Sequence, residues 1–577
     1  MSFITSRNDD GYCWKVAYVV SFCFGISQAV WLYGELLNPM NVTWLLAESD
    51  SFQHFIGWDM FRRDEWRWPL GALPTLGYTM EGSIVFSDSI PLLAILLKAF
   101  HSTLPDPFQY VGLTMLCNLS LSGIASVWLV RRIGGGAVVA CLFSLLVLGG
   151  TTITFRGPTS LGHEALSAHW LILFCIGLAM HKSLCGRFKS WAFLLILAVV
   201  IHFYIFFMLG VMWGVCAFYT IWENRTDRKA ISAIILKMSL TILLVSLVMW
   251  AAGYFEFGVE VEGSAGFGIY SASFLSFFNP GNAELFLKGP LFSGTSYFFQ
   301  GWSSPVSGQY EGYSYVGIGM LLLWFLAFFL FVFGLTKRGA SQSEQKSMVG
   351  LPLWVSGLFL FLFSLSDRWV LGGWFWEFKY PGILSTLTQH LRSSGRMIWP
   401  LMYILAIASF CYLLKRIARR NFVILLSLFV LLQWWDSYPW FKYVRGNADA
   451  LVKMHGDLPS SFTWLEDDSI YSMTIGKKYL QYLPGDDMYN LKAASWLAAR
   501  HDQKLNVAYY ARVNPGILHE NAKAETDRLK EGYTSKSTLY MLTNENLWSE
   551  VCEYKALKCV YVNEDVVLAT TKVRDNG

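Results

Sequence analysis

Residues 47–71, AESDSFQHFIGWDMFRRDEWRWPLG, follow a long apolar segment at 14–37, WKVAYVVSFCFGISQAVWLYGELL, and open a polar stretch that closes with FSDSIP at 86–91. The apolar segment is long enough to cross a bilayer, since about 20 apolar residues in a helix span the hydrocarbon core. Behind it gather Asp50, His54, Asp59, Asp64, Glu65 and Asp88, among tryptophans, in a 577-residue chain that is 54% hydrophobic, 17% aromatic and only 15% charged. Soluble domains carry about 25% charged residues, so this composition specifies a multi-pass membrane protein with the lipid bilayer as a partner. The net charge of +4 is small for the length and sits mainly in short loops, which argues for membrane orientation and against nucleic acid. No cleavable signal is evident, because the first apolar run is too long for a signal core; the first span acts as its own targeting element.

Working outward, hydropathy places spans near 14–37, 109–130, 136–155, 164–181, 230–252, 314–335, 350–366, 397–414 and 421–436, and the run 190–222 splits into two near His202-Phe203. The short run 89–100 reads as re-entrant, which keeps the count at about eleven transmembrane helices plus re-entrant or juxtamembrane ones. Basic loops at Arg131-Arg132, His181–Lys189, Arg225–Lys229, Lys337-Arg338 and Lys415–Arg420 belong to the cytoplasm. The opposite face then receives the opening stretch, the loops 156–163, 253–313 and 367–396, and the C-terminal tail. A transmembrane domain over 1–436, with 38–88 as its first extracytoplasmic loop, precedes an extracytoplasmic soluble domain over 437–577.

In that tail, runs at 469–475, 507–513, 538–543, 558–563 and 566–571 read as strands and 489–500 and 519–531 as helices, giving a small α/β or α+β domain. Most cysteines lie in or beside apolar spans as small hydrophobes. Cys552 and Cys559 lie in the polar tail, where a disulfide suits an oxidising compartment.

The sequence has no GxxxxGK[ST] motif, no GxGxxG after a strand, and neither HExxH nor a CxxC pair, so nothing indicates a nucleotide-driven pump or a zinc enzyme. The carboxylates of the opening stretch remain. A carboxylate beside a membrane can take a proton from an acceptor hydroxyl, and a second can hold a divalent cation, Mg or Mn, against a phosphate leaving group. Asp50 is the first candidate base, one helical turn before His54, and Asp88 stands where the chain re-enters the apolar phase. Asp64 and Glu65, alternating with Arg62, Arg63 and Arg67, read instead as a salt-bridged interfacial face, with Trp58, Trp66 and Trp68 as an aromatic belt. A second polar knot, QHLRSSGRMIWP at 389–400, offers Arg392 and Arg396 as a phosphate clamp at a helix start. Lys379 and Tyr380 supplement it. Further candidates for a substrate cavity are Asp59, Arg156, His163, His202 and Glu311.

SDSFQHFIGWDMFRRDEWRWPLG, FSDSIPLLAILLKAF, YEGYSYVGIG and RSSGRMIWP resemble a bacterial family of GT-C-like membrane proteins, and the whole layout looks like the GT-C class of integral-membrane glycosyltransferases. The resemblance implies a polyprenyl-phosphate sugar donor and transfer on the periplasmic face of the inner membrane to a glycan, lipid or protein acceptor of the cell envelope, such as O-antigen. It places the base or acceptor-orienting role on Asp50, supported by His54 and Asp88, and the phosphate on Arg392 and Arg396. Asp50 lacks the D-x-D or D-E pair of the commonest GT-C pattern, which leaves metal dependence open. Two other classes remain: a transporter or flippase of a lipid-linked glycan, and a non-catalytic envelope assembly protein.

Overall fold

The computed structural model describes residues 7–47, 49–80, 82–180, 187–256, 266–281, 295–336, 349–379, 388, 391–454, 460–485, 488–510, 515–553 and 557–572. The protein is mostly helical with a small C-terminal sheet. It divides into two compact units, one of Met1–Leu37, Gly112–Ser246 and Gly263–Asp449, the other of Asn38–Val111, Leu247–Glu262 and Ala450–Gly577.

Six helices among the described residues are long and apolar enough to cross a membrane: Gly11–Leu37, Val111–Arg132, Phe203–Glu223, Arg228–Ala252, Ser394–Arg416 and Arg419–Lys453. Five shorter apolar helices accompany them, Ala137–Leu148, Glu164–Ala179, Phe188–Ile201, Ile318–Gly334 and Leu351–Ser364. In the first unit these pack through small residues, because lipid supplies no hydrophobic drive between helices and close backbone approach has to replace it. A Cβ on Gly25 would lie 2.6 Å from Ser120 Cα, and one on Gly123 would lie 2.6 Å from Ser21 O. The run 190–222 breaks at His202, whose extended backbone (φ −160°, ψ 129°) ends one helix and caps the next, its ring accepting from Tyr204 N. The last apolar helix does not stop near Trp435. It runs through Pro439 to Met454, since past the apolar run one side stays buried, with Trp440, Phe441 and Val444 enclosed. A two-stranded hairpin, β1 (Arg368–Leu371) and β2 (Trp374–Glu377), follows the helix Leu351–Ser364.

In the second unit the strands β3 (Tyr479–Leu483), β4 (Lys504–Leu505), β5 (Thr538–Leu542), β6 (Leu557–Tyr561) and β7 (Val567–Thr571) form a mixed sheet in the order β4-β3-β5-β7-β6. The first three are parallel, joined by the helices Met488–Arg500 and Pro515–Lys530, and β7 runs antiparallel to both β5 and β6. The run 469–475 is helical and not a strand: Asp467 accepts from Ser469 N and caps the helix Asp468–Thr474. The first polar stretch pairs with this sheet, Leu505 N donating to Thr75 O at 2.8 Å and Tyr78 N to Leu505 O at 3.0 Å. Tyr510 OH, enclosed, donates to Leu76 O at 2.8 Å. The apolar run 89–100 yields only the eight-residue helix Pro91–Lys98, about 12 Å long and too short to cross a bilayer.

Candidate functional site

Three candidates that lie far apart in sequence meet inside the first unit. Arg156 follows the turn Thr151–Thr154, Glu311 sits in the one-turn helix Gln309–Gly312, and Arg396 lies in the turn Ser394–Ile398 that begins the helix Trp399–Arg416. Arg156 Nη1 donates to Glu311 Oε2 at 2.5 Å and its Nη2 to the Glu311 carbonyl at 2.7 Å. Arg396 closes a fork on the same carboxylate, Nε to Oε2 at 2.9 Å and Nη2 to Oε1 at 2.8 Å. The two turns can touch because position 395 is glycine; a Cβ there would lie 2.7 Å from Gly312 N. All three side chains are buried, Arg156 completely. Burial alone would push the Glu311 carboxyl up, but Arg396 and Arg156 hold it well below its usual range, so it is ionised. Two guanidiniums thus grip one carboxylate where little water reaches.

The surroundings supply rings and hydrogen bonds. The Arg396 guanidinium lies 4.8 Å from the centre of the Tyr204 ring, and that of Arg156 lies 5.2 Å from the Trp399 ring. Tyr204 OH accepts from Ser393 N at 3.0 Å, so the helix that starts beyond His202 fastens the segment Arg392–Arg396. His163 N donates to Arg156 O at 3.0 Å, bringing a fourth candidate to the knot. Arg392 is exposed. Gln309, Tyr310, Gly312 and Tyr313 also line a pocket of about 480 Å³, counting its open mouth, with Asn279 and Trp302. Lys379 is exposed at the end of the hairpin, and Tyr380 lies outside the described residues.

Asp50, His54 and Asp88 belong to the second unit. The helix Ser49–Arg63 carries Asp50 in its first turn and Arg62-Arg63 in its last, as the helix dipole favours. Asp50 is half-buried and His54 buried. The loop bearing Asp88 is strapped to this helix: Ser89 Oγ donates to His54 O at 2.6 Å, Ser87 and Ser89 hydroxyls pair at 2.8 Å, and Tyr110 OH donates to Ser89 O. Gly57 permits the contact, because a Cβ there would strike the Ser87 hydroxyl. Asp88 (φ 55°) and Ile90 (φ 45°) are held in the left-handed region, a cost of order 1–3 kcal/mol each that only the surrounding structure sustains. The expected aromatic belt is divided, with Trp66 and Trp68 exposed but Trp58 enclosed and donating to Phe108 O at 2.8 Å. Among the described residues no group of three or more His, Cys, Asp or Glu side chains is gathered as a metal site.

A family profile described as Domain of unknown function (DUF6311) matches residues 22–438, and one described as DUF6311 C-terminal domain matches residues 472–570. The chain belongs to the DUF6311 family. No curated protein matches it.

Two clusters in this DUF6311 member escape a reading of its sequence. Asp59 is fully enclosed; Arg500 Nη2 donates to it at 2.6 Å, and Arg63 and Arg62 stand at 3.6 and 3.9 Å. Arg500 and Arg63 also reach Asp106 at 2.8 and 2.6 Å. Asp59 is thereby the counter-ion that latches the helix Ser49–Arg63 to the helix Met488–Arg500, aided by Phe55 against Trp496. The second cluster centres on Asp436, buried in the last apolar helix, which accepts from Tyr315 OH at 2.7 Å, from Ile318 N at 2.9 Å and from Ser296 OH. It caps the helix Ile318–Thr336, and Gln433 one turn earlier accepts from Met320 N at 3.1 Å. An acid and an amide in an apolar run were the available signal. In the sheet domain, Cys552 and Cys559 are joined in a disulfide.

Proposed function

We propose that this chain is a GT-C-type glycosyltransferase of the bacterial inner membrane, moving a sugar from a polyprenyl phosphate to a cell-envelope acceptor. The observation that carries this reading is the Arg156–Glu311–Arg396 knot with exposed Arg392 on the same fastened segment. Guanidiniums gathered in a nearly dry setting suit a phosphate leaving group. Six long apolar helices with five shorter ones beside them, among the described residues, support a multi-pass architecture of that kind. A disulfide in the tail supports an oxidising, periplasmic location.

In the reaction, the acceptor oxygen attacks the anomeric carbon as a base takes its proton; the bond from that carbon to the phosphate oxygen breaks, and the phosphate leaves with the electron pair. Arg392 and the guanidinium knot bear the charge that develops on the phosphate. His54 and the strapped Asp88 loop hold the helix of Asp50, the carboxylate proposed as base. A single displacement inverts the anomeric centre.

The test is deletion in the native host and mass comparison of the envelope glycan, with complementation by Asp50→Asn and Arg392→Ala. Deletion is expected to remove one sugar, and each variant to lower transfer roughly 10²–10⁴-fold, the usual share of a general base or a fixed charge. Full glycan in both variants sinks the assignment. Release of free carrier phosphate in membranes separates transfer from flipping.

A further inference from the structure

The helix Leu351–Ser364 leaves Leu351, Val355, Leu358 and Leu362 exposed. That is one stripe at helical spacing, the face a membrane helix turns to lipid. Only Leu365, Ser366 and Asp367 separate it from the β1–β2 hairpin. Side chains alternate across a hairpin, and the register pairs Leu371 with Trp374 and Trp369 with Trp376 on one face, Val370 with Phe375 and Arg368 with Glu377 on the other. Val370 on the second face is buried, with its carbonyl accepting from Phe274 N at 3.0 Å, and Trp369 packs edge-on against Phe274 with ring centres 5.5 Å apart. These contacts fasten the β1 side of the hairpin to the protein, while Phe375 and Glu377 stay exposed. The first face carries no charge. Trp374 is 71% exposed, Trp376 44% and Leu371 41%, and the two indoles stack with centres 6.4 Å apart.

We propose that this hairpin face is an interfacial anchor, seated in the headgroup layer of the bilayer. Its occupant is lipid because the surface continues the lipid-facing stripe of the helix that delivers it, and because indoles with an apolar body and an N–H suit the zone between hydrocarbon and water. An exposed, uncharged aromatic sheet face in water would invite association; the membrane covers it. The anchor fixes the start of the segment that leads toward Arg392.

The full chain in nanodiscs of phosphatidylethanolamine and phosphatidylglycerol tests this, with Trp374→p-benzoylphenylalanine as a photo-crosslinker. Illumination is expected to add phospholipid mass to the tryptic peptide 369–379, with a yield roughly ten-fold above the same substitution at Tyr561, exposed on the sheet. The same substitution at Trp376 repeats the test if the first variant does not fold. A cross-linked dimer, an adduct to another protein, or a lipid yield no higher than at Tyr561 overturns the proposal.

Discussion

Glu311 and Asp59 are both enclosed carboxylates gripped by arginines, and they differ in arithmetic and in access to water. At Glu311 two cations meet one anion, with Arg156 fully buried and Arg396 9% exposed. At Asp59 the three cations Arg62, Arg63 and Arg500 are shared with Asp106 and Asp502, which are 46% and 72% exposed, so three cations meet three anions and the cluster opens to solvent. A balanced, wetted cluster is what a latch between two helices requires. A dry ion cluster adds little to stability over apolar packing, and that is the reason to look for a function there.

The comparison breaks first at Glu311. Glu311→Gln leaves two guanidiniums buried without a counter-charge, and a loss of about 3–5 kcal/mol is expected, read as a fall in thermal denaturation midpoint in detergent. The pH dependence follows from the depressed carboxyl. A group whose folded value lies below its ordinary 4.5 contributes stability that is complete above that pH and is lost as pH falls from there toward the folded value. Wild type should therefore hold the gap to Glu311→Gln from neutrality down to about pH 4.5 and narrow it only in stronger acid. A variant as stable as wild type at pH 7 would remove the basis of the contrast.

How far sequence reaches is visible in these same residues. The break at His202 was legible because a lone polar residue in a double-length apolar run can cap a new helix. Arg156, Glu311 and Arg396 were each legible as odd, yet not as one object: their partners lie 155 and 85 positions apart, and nothing local encodes such a meeting. Arg500 read as a basic residue closing a helix, an ordinary dipole complement, while its partner Asp59 is 441 positions away. Asp436 was hidden because the polar end of an apolar run looks like an exit into water; the helix instead continues to Met454. The strand β3 was missed between Gly476 and Pro484, whereas β5 and β7, buried along almost their whole length, were plain.

Arg500→Ala sharpens the other side of the comparison. It removes the closest hydrogen bond to Asp59 but leaves Arg62 and Arg63 in place, and Arg500 is 23% exposed. A loss of about 1–2 kcal/mol is expected, smaller at high salt, with faster hydrogen exchange in the helices Ser49–Arg63 and Met488–Arg500. The Glu311 knot, being dry, should show no comparable salt dependence. If both variants responded to salt alike, the difference in access to water would not be the property that separates the two clusters.

The smallest effect on stability, and the one that bears most on function, is expected at Arg392. It is exposed, so Arg392→Ala should change stability by no more than about 0.5 kcal/mol. Its removal nevertheless takes away the guanidinium that faces water on the segment of Arg396, while the Glu311 fork to Arg396 stays closed. Under the transferase reading, transfer falls while the denaturation midpoint stays, and Arg392→Lys restores only part of it, since an ammonium supplies charge without the planar fork. A variant that loses stability and transfer in proportion would make Arg392 one more structural arginine. The case for a phosphate at the knot would then fall with it.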